Sequence, residues 1–223
     1  CGGLLAAPMA DQESDCDCLG VESQNPDGKA VLYIDTEQSR TDFWHLVNRA
    51  RIRANVETVP DWLCAYSMAG RIAADCRRAV SALMKRLAER HYGIHSVIID
   101  GVADLVSSVN NEAECNSLVA ELHGLALNYE CPIIGIIHTN PISSRMQVDK
   151  TRGHLGSQLE RKSETNLRLE KTGETTVVWS DKQRKAPILK QDGPTFKWSD
   201  ELQMHVSCDP SEKEPSVAEK DLW

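Results

Sequence analysis

Three short apolar runs decide the fold of this sequence: Val31-Leu32-Tyr33-Ile34-Asp35, Val97-Ile98-Ile99-Asp100 and Ile133-Ile134-Gly135-Ile136-Ile137. Each run is nearly continuous in apolar residues, which is typical of a strand buried on both faces of a parallel sheet. Segments with helical spacing of apolar residues separate the runs, at 71–92 and 111–129. This order of strand, helix, strand, helix, strand predicts an α/β domain, a parallel sheet flanked by helices with right-handed crossovers.

The segments before and after the three apolar runs predict further helices and strands, and then a change from a parallel to an antiparallel arrangement. Residues 4–10 predict the end of a helix, 41–53 a further helix, and 60–66 a short strand. From residue 165 onward, Leu167 and Leu169 alternate with polar residues, and turn-forming residues follow. The alternation predicts a C-terminal antiparallel hairpin extension at the end of the sheet.

Length and composition predict one folded domain. The 223 residues suit a single domain, taken as 1–208, and the charged, proline-containing segment 209–223 predicts a disordered acidic tail. No apolar run reaches the roughly 20 residues that span a bilayer.

Among eight scattered cysteines only Cys16 and Cys18 lie close together, without the second ligand pair of a zinc site. Free thiols in a reducing cytoplasm are therefore expected, with a metal or a disulfide as the alternatives.

The charge distribution leaves nucleic-acid binding open. A net charge of −8 argues against a surface that is basic throughout, but such binding needs only a local basic strip. The segment 145–168 supplies one, with six Lys or Arg against three acidic residues. A solvated loop and helix would have the same composition, so the strip alone does not decide between the two interpretations.

Polar residues follow each of the three apolar runs: Asp35-Thr36-Glu37-Gln38, Asp100-Gly101 and His138-Thr139-Asn140. The carboxyl ends of parallel strands border the crevice in which α/β proteins bind their ligands. One acidic residue in such a place commonly caps a helix or a turn. Three polar ends in succession favour a ligand site.

The run that ends at Asp100 has the form of a Walker B strand, which delivers one aspartate to a Mg²⁺-bound water. This chemistry requires a hard anionic oxygen, because Mg²⁺ bridges the β- and γ-phosphates of ATP. Short apolar runs that end in Asp are common, so the pattern by itself has low specificity. Asp104 is a second candidate, four residues into the following loop.

Two of the strand ends resemble those of RecA-like and DnaB-like ATPases. The stretch from Val31 to Ser39 resembles the strand of these proteins that ends in the glutamate activating the attacking water, which implies that role for Glu37. Ile136-Ile137-His138-Thr139-Asn140 resembles their next strand, whose terminal polar residue senses the γ-phosphate. The resemblance implies that His138 is catalytic, that Asp100 binds Mg²⁺ through water, and that Gln38 and Asn140 help to bind ATP.

Two later segments extend the resemblance. Asp181-Lys182-Gln183-Arg184 resembles the Lys-x-Arg finger that hexameric DnaB-type helicases insert into the neighbouring subunit's site, although a solvated edge strand would explain it too. The segment 152–161 falls where these proteins carry a flexible DNA-binding loop and a short helix. The resemblance implies single-stranded DNA contacts by four residues, namely Arg145, Lys150, Arg152 and His154.

The closest likeness is to the RepA-like ATPases of plasmids and mobilizable elements, over residues 1–206. It implies an ATP- and Mg²⁺-dependent motor on DNA, a replicative or mobilization helicase that forms a homo-oligomeric, hexameric ring. A RecA-type recombination or regulatory ATPase without unwinding is the alternative, and a non-catalytic scaffold is a third.

One departure from the family is serious, because no GxxxxGK[ST] phosphate-binding loop occurs in the sequence. Two explanations are open. The loop is expected just upstream of Cys1, since the chain lacks an initiator Met and residues 1–10 fit the remainder of the helix that follows such a loop. The chain alone is then expected to be inactive. In the other explanation the protein is a degenerate ATPase.

Overall fold

The predicted parallel sheet is present in the computed structural model, which describes residues 1–11, 13–139 and 153–209. Its strands are β1 (Ala30–Asp35), β2 (Leu63–Ser67), β3 (Ile94–Asp100) and β4 (Ile133–Ile136). The order is β2-β1-β3-β4, and every pairing is parallel. The three apolar runs form the last three strands of this order, so the carboxyl ends of β1, β3 and β4 lie side by side.

Helices cover both faces of this sheet, as predicted. They are α1 (Gly2–Ala6), α2 (Arg40–Arg53), α3 (Ala73–Arg90), α4 (Glu112–Asn128) and α5 (Gly153–Lys162), with a 3-10 helix at Val102–Leu105. All six residues of β1 are buried, and they alternate between two cores. Leu32 and Ile34 face the core built with α3 and α4, whereas Val31 and Tyr33 face the core built with α1 and α2. None of the described helices is long and apolar enough to cross a membrane.

The helix ends follow the local sequence. Asn111 caps α4 by accepting from the Glu114 backbone N–H at 3.2 Å. The Glu114 carboxylate accepts from Ser107 at 2.6 and 2.8 Å instead of reaching back to Asn111, so only half of a capping box forms. Just after α3, Tyr92 takes the left-handed conformation, with φ of 56°.

The predicted antiparallel extension forms a sheet of its own. Its strands are β5 (Thr165–Thr172), β6 (Thr175–Gln183), β7 (Thr195–Ser199) and β8 (Met204–Ser207), in that order. The alternating Leu167 and Leu169 point outward, with 51% and 67% exposure. The intervening polar face of β5 is the partly buried one, because Arg168 reaches α5 and bonds Glu160 at 3.3 Å.

A buried arginine on α2 joins the second sheet to the core that is built with α1 and α2. The Arg53 side chain at the end of α2 is 5% exposed and pairs with Asp17 at 3.3 Å. It also donates to the carbonyl oxygen of His205 on β8. Asp17 in turn accepts from the Ser207 hydroxyl and backbone N–H, at 2.6 and 2.8 Å. Charge-assisted hydrogen bonds of this kind satisfy a cation that has been removed from water.

Candidate functional site

The carboxyl ends of β1 and β3 bring two carboxylates together. Asp35 and Asp100 are register partners in the parallel ladder. The hydroxyl of Tyr33, also on β1, lies 2.8 Å from Asp35 Oδ2 and 3.3 Å from Asp100 Oδ2. A phenol has one proton, so it donates to one of the two carboxylates at a time. Tyr33 therefore links both acidic strand ends.

Asp35 shapes the turn that follows β1. Its carboxylate is fully buried, and its Oδ1 accepts from the backbone N–H groups of Glu37 and Gln38, at 3.0 and 2.8 Å. This is the turn geometry that an Asp side chain favours. With Tyr33 it has three donors, which compensate the loss of water around a buried carboxylate. Asp35 therefore sets the direction in which Glu37 and Gln38 leave the strand.

The first residue after β1 locks this turn onto the end of β3. The backbone N–H of Thr36 donates to the Asp100 carbonyl at 3.0 Å, and its hydroxyl lies 2.8 Å from Asp104 Oδ2. Gly101 has φ of 93°, and a Cβ there would lie 2.1 Å from the Thr36 hydroxyl oxygen. Only glycine fits this approach. Asp104, the second Walker B candidate, thus serves as an acceptor for Thr36.

Glu37 and His138, both predicted to be catalytic, are in contact. His138 lies just beyond β4, and its Nε2 donates to Glu37 Oε2 at 2.9 Å. The histidine side chain is 71% exposed and the glutamate 35% exposed, so the pair faces the open edge of the sheet. A carboxylate accepts only, so His138 has its proton on Nε2 in this arrangement.

Asp100 Oδ2 is surrounded by donors. Besides Tyr33, it accepts from Gln38 Nε2 at 3.3 Å and from Cys1 Sγ at 3.2 Å. No group of three or more His, Cys, Asp or Glu side chains in the described ranges could hold a metal ion. One carboxylate beside an open edge fits Mg²⁺ held through its waters, since Mg²⁺ keeps several waters in sites of this kind. Asp100, with Gln38 beside it, is the residue that would hold it.

The two predicted finger residues lie at the end of β6 in the second sheet and just after it. Lys182 is on β6, and its Nζ donates to three carbonyl oxygens at the end of α5. Arg184 follows β6 and lies 3.9 Å from Glu164. These partners all belong to α5 and the adjoining turn, so the structure does not bring either cation to Glu37 or Asp100 of the same chain.

The predicted DNA-contact residues are described only in part. Arg145, Lys150 and Arg152 lie outside the described residues, as does Asn140, which was predicted to help bind ATP. His154 is in the first turn of α5, where its Nε2 lies 3.1 Å from Gln158 Nε2 and 4.0 Å from Glu112 Oε1. In this position His154 contacts α4 and its own helix.

Sequence reasoning missed Tyr33, Asp35, Thr36 and Gly101. A signal for two of them was present, because Tyr33 is the one residue with a hydroxyl inside the first apolar run, and Asp35 ends it. The roles of Thr36 and Gly101 depend on the approach of two strand ends that are 65 residues apart in sequence. No local pattern reports such a contact.

Comparison with known proteins agrees with this fold. A family model described as an AAA domain matches residues 5–141, more than half of the chain. Among solved structures, the crystal structure of the RadB recombinase is similar at a TM-score of 0.54 and 18% identity, over 82% of this chain and 80% of that chain. At this identity the likeness concerns the fold. The comparison with curated proteins finds no match.

The parallel sheet with helices on both faces and the separate antiparallel sheet define a RecA-like α/β fold. The chain belongs to the AAA domain family.

Proposed function

We propose that this chain supplies the hydrolytic carboxylates of an ATPase that acts as a motor on single-stranded DNA. The observation that supports the proposal best is the Glu37–His138 contact at 2.9 Å, formed beside Asp100 at the edge where three parallel strands end. A paired carboxylate and imidazole next to a carboxylate suited to Mg²⁺ is an arrangement for directing water at a phosphoryl group.

Each residue has a distinct task in this proposal. Glu37 orients the attacking water, and its backbone is fixed by Asp35. His138 is proposed to turn its Nε2–H from Glu37 to the γ-phosphate when nucleotide binds, because negative charge develops there and a neutral imidazole has one N–H donor. Asp100 accepts hydrogen bonds from Mg²⁺-bound water, with Gln38 beside it. Mg²⁺ held there through its waters would neutralise charge on the β- and γ-phosphates.

The phosphate cradle is proposed to come from a segment joined ahead of Cys1, because the 223 residues contain no GxxxxGK[ST]. Cys1 Sγ lies 3.2 Å from Asp100, so a segment joined there would enter the site beside the carboxylate proposed for Mg²⁺. A degenerate ATPase that serves as a scaffold is the alternative that this part of the proposal has to exclude.

The remaining parts of the proposal concern assembly and DNA. Arg184 is exposed just after β6 and is proposed to act in the site of a neighbouring subunit of a hexameric ring. Arg145, Lys150, Arg152 and His154 are proposed to contact single-stranded DNA in the ring channel. We further propose cytoplasmic work on the replication or mobilization of a mobile element. All eight cysteines are free thiols, which suits a reducing compartment.

A second candidate is a recombination or regulatory ATPase that does not unwind DNA. The fold likeness to the RadB recombinase favours it, because that protein has a similar core at a TM-score of 0.54. Both candidates use the same strand-end site, so the site itself does not distinguish them.

The test is made on the chain extended upstream through a P-loop. ATP hydrolysis is measured with and without single-stranded DNA, and strand separation is measured on a forked duplex. DNA-stimulated hydrolysis with unwinding supports the helicase, and hydrolysis without unwinding supports the recombination-type ATPase. Absence of hydrolysis with an intact P-loop supports the scaffold. Hydrolysis by the 223-residue chain alone would mean that the nucleotide site is elsewhere.

A further inference from the structure

The ammonium group of Lys182 is fully occupied at the carboxyl end of α5. Its Nζ donates to the carbonyl oxygens of Glu160, Arg161 and Ser163, at 2.8, 2.9 and 3.2 Å. A lysine ammonium has three donors and no acceptor. Each donor is therefore matched by one carbonyl, and none remains for a phosphate oxygen.

These carbonyls lie where an α-helix needs a partner. The last four carbonyls of a helix have no partner within the helix, and the partial negative charge there favours a cation. α5 ends at Lys162, and the side chains of Asn166 and Ser163 also donate to the Glu160 carbonyl, at 3.1 and 3.5 Å. Lys182 is thus the cationic cap of this helix end.

A bulge in the β5–β6 pair lies directly beside Lys182. Leu167 pairs with Ser180 while Asn166 pairs with Lys182, so Asp181 is an extra residue on β6. A bulge of this kind redirects the side chains next to it. Asp181 accepts from Arg168 at 3.0 Å, and Arg168 also bonds the Glu160 carboxylate at 3.3 Å. The hairpin is therefore tied to α5 at two points.

Arg184 is held quite differently. Its side chain is 62% exposed and lies 3.9 Å from Glu164, which is itself 83% exposed. An exposed pair at this distance restrains the guanidinium little. We infer that Lys182 is a positioning residue, which fixes the β5–β6 hairpin to α5, and that Arg184 alone is the cation presented to a neighbouring subunit. The part about Arg184 rests on the proposed function, whereas the part about Lys182 and α5 does not.

Hydrogen exchange on the 223-residue chain tests the contact without nucleotide. In Lys182→Met, backbone amides at the end of α5 and at 163–166 should exchange roughly tenfold faster, because local opening is easier. The matched control is Lys185→Met, at an exposed lysine, which should leave exchange unchanged. Lys182→Arg should restore protection, and Lys182→Gln replaces the Met variant if that one fails to fold. Unchanged exchange in a folded Lys182→Met variant would overturn the inference.

Nucleotide measurements on the P-loop-containing assembly separate positioning from direct contact. Lys182→Met should leave the nucleotide Kd unchanged and lower kcat, and Lys182→Arg should recover both kcat and amide protection. A weaker Kd together with normal exchange would make Lys182 a phosphate ligand and overturn the inference. If the unsubstituted assembly does not hydrolyse ATP, the proposed function fails, and the exchange data still decide the role of Lys182.

Discussion

Tyr33 donates its hydroxyl to Asp35, two residues further along β1, at 2.8 Å and wholly out of solvent. Residues two apart in a strand lie on the same face, which brings the phenol to the carboxylate. Burial and the hydrogen bond to Asp35 raise the pKa of Tyr33 far above its ordinary value. The phenol therefore stays protonated at physiological pH and acts as a donor to the acidic strand ends.

Removing this hydroxyl should destabilise the fold. Tyr33→Phe leaves the buried Asp35 carboxylate with one donor fewer, which should lower the free energy of unfolding by about 1–3 kcal/mol. Urea unfolding measures the change. Tyr66→Phe is the matched control, because the Tyr66 hydroxyl accepts a hydrogen bond from the exposed Arg86, at 3.1 Å, rather than donating to a buried carboxylate. Equal effects of the two substitutions would contradict the special role of Tyr33.

Glu37→Gln should uncouple nucleotide binding from hydrolysis. In the P-loop-containing protein, kcat should fall about 10²-fold or more, because a positioned general base typically contributes 10²–10⁴. Nucleotide binding should persist, since the amide keeps the size of the side chain. Glu57→Gln, at an exposed glutamate after α2, should change neither quantity. An unaltered kcat in Glu37→Gln would reduce Glu37 to a structural residue of the turn.

Asp100→Asn should weaken the response to Mg²⁺. The amide lacks the negative charge that attracts the cation's waters, so a higher Mg²⁺ concentration should be needed for half-maximal hydrolysis. A Mg²⁺ titration of the P-loop-containing protein measures this. Asp104→Asn is the comparison, because the Asp104 carboxylate accepts a hydrogen bond from Thr36, and this variant should leave the Mg²⁺ titration unchanged. If only Asp104→Asn shifts the titration, the Walker B assignment moves to that residue.

Arg184 should act in trans. The inactive variants Arg184→Ala and Glu37→Gln are mixed under conditions in which subunits exchange, as shown by a labelled subunit. Partial activity should return, because some interfaces then pair an intact Glu37 with an intact Arg184, and a trans arginine can contribute about 10³ or more in rate. Background activity despite proven exchange would show that both residues act within one chain.

Asp17 should make stability depend on pH. Burial opposes its ionisation, but hydrogen bonds from Ser207 and Leu19 and the charge of Arg53 outweigh this and lower the pKa of Asp17. A carboxyl group whose pKa is lower in the folded state stabilises the fold when the pH is above its unfolded-state pKa of about 3.9. That stabilisation is lost as the pH falls through the folded-state pKa. Asp17→Asn should therefore lower the urea midpoint at pH 7, with a difference that shrinks below about pH 4. Asp27→Asn, at an exposed residue, should show no such difference.

The parallel sheet was predictable because its strands are buried on both faces, which leaves a local pattern in β1, β3 and β4. The second sheet was only half predictable. Alternation at Leu167 and Leu169 indicated strands correctly, yet the leucines face outward, because Arg168 and the polar face of β5 turn toward α5. Which face of a strand is covered depends on a partner element, and the sequence of the strand alone does not identify that partner.

The residues of the candidate site were likewise predictable only in part. Glu37, Asp100 and His138 follow apolar runs and could be singled out one by one. Glu37 contacts His138 directly, whereas its link to Asp100 runs through Tyr33, Asp35 and Thr36, and all of these are contacts between strands or across a turn. The prediction also grouped Lys182 with Arg184, because together they resemble a Lys-x-Arg finger. The bulge at Asp181 and the position of α5 give the two cations different surroundings.

The contacts that Arg53 and Asp17 make with β8 have a consequence for the order of folding. Asp17 and Ser207 are 190 residues apart in the chain, so their bonds can form only after nearly all of the described sequence has been made. The buried guanidinium of Arg53 lacks its His205 partner until β8 exists. Long-range contacts of this type form slowly, and domains fold as they emerge during synthesis. These contacts are therefore among the last to form, and a nascent chain halted before β8 would lack the His205 partner of Arg53 and the Ser207 partner of Asp17.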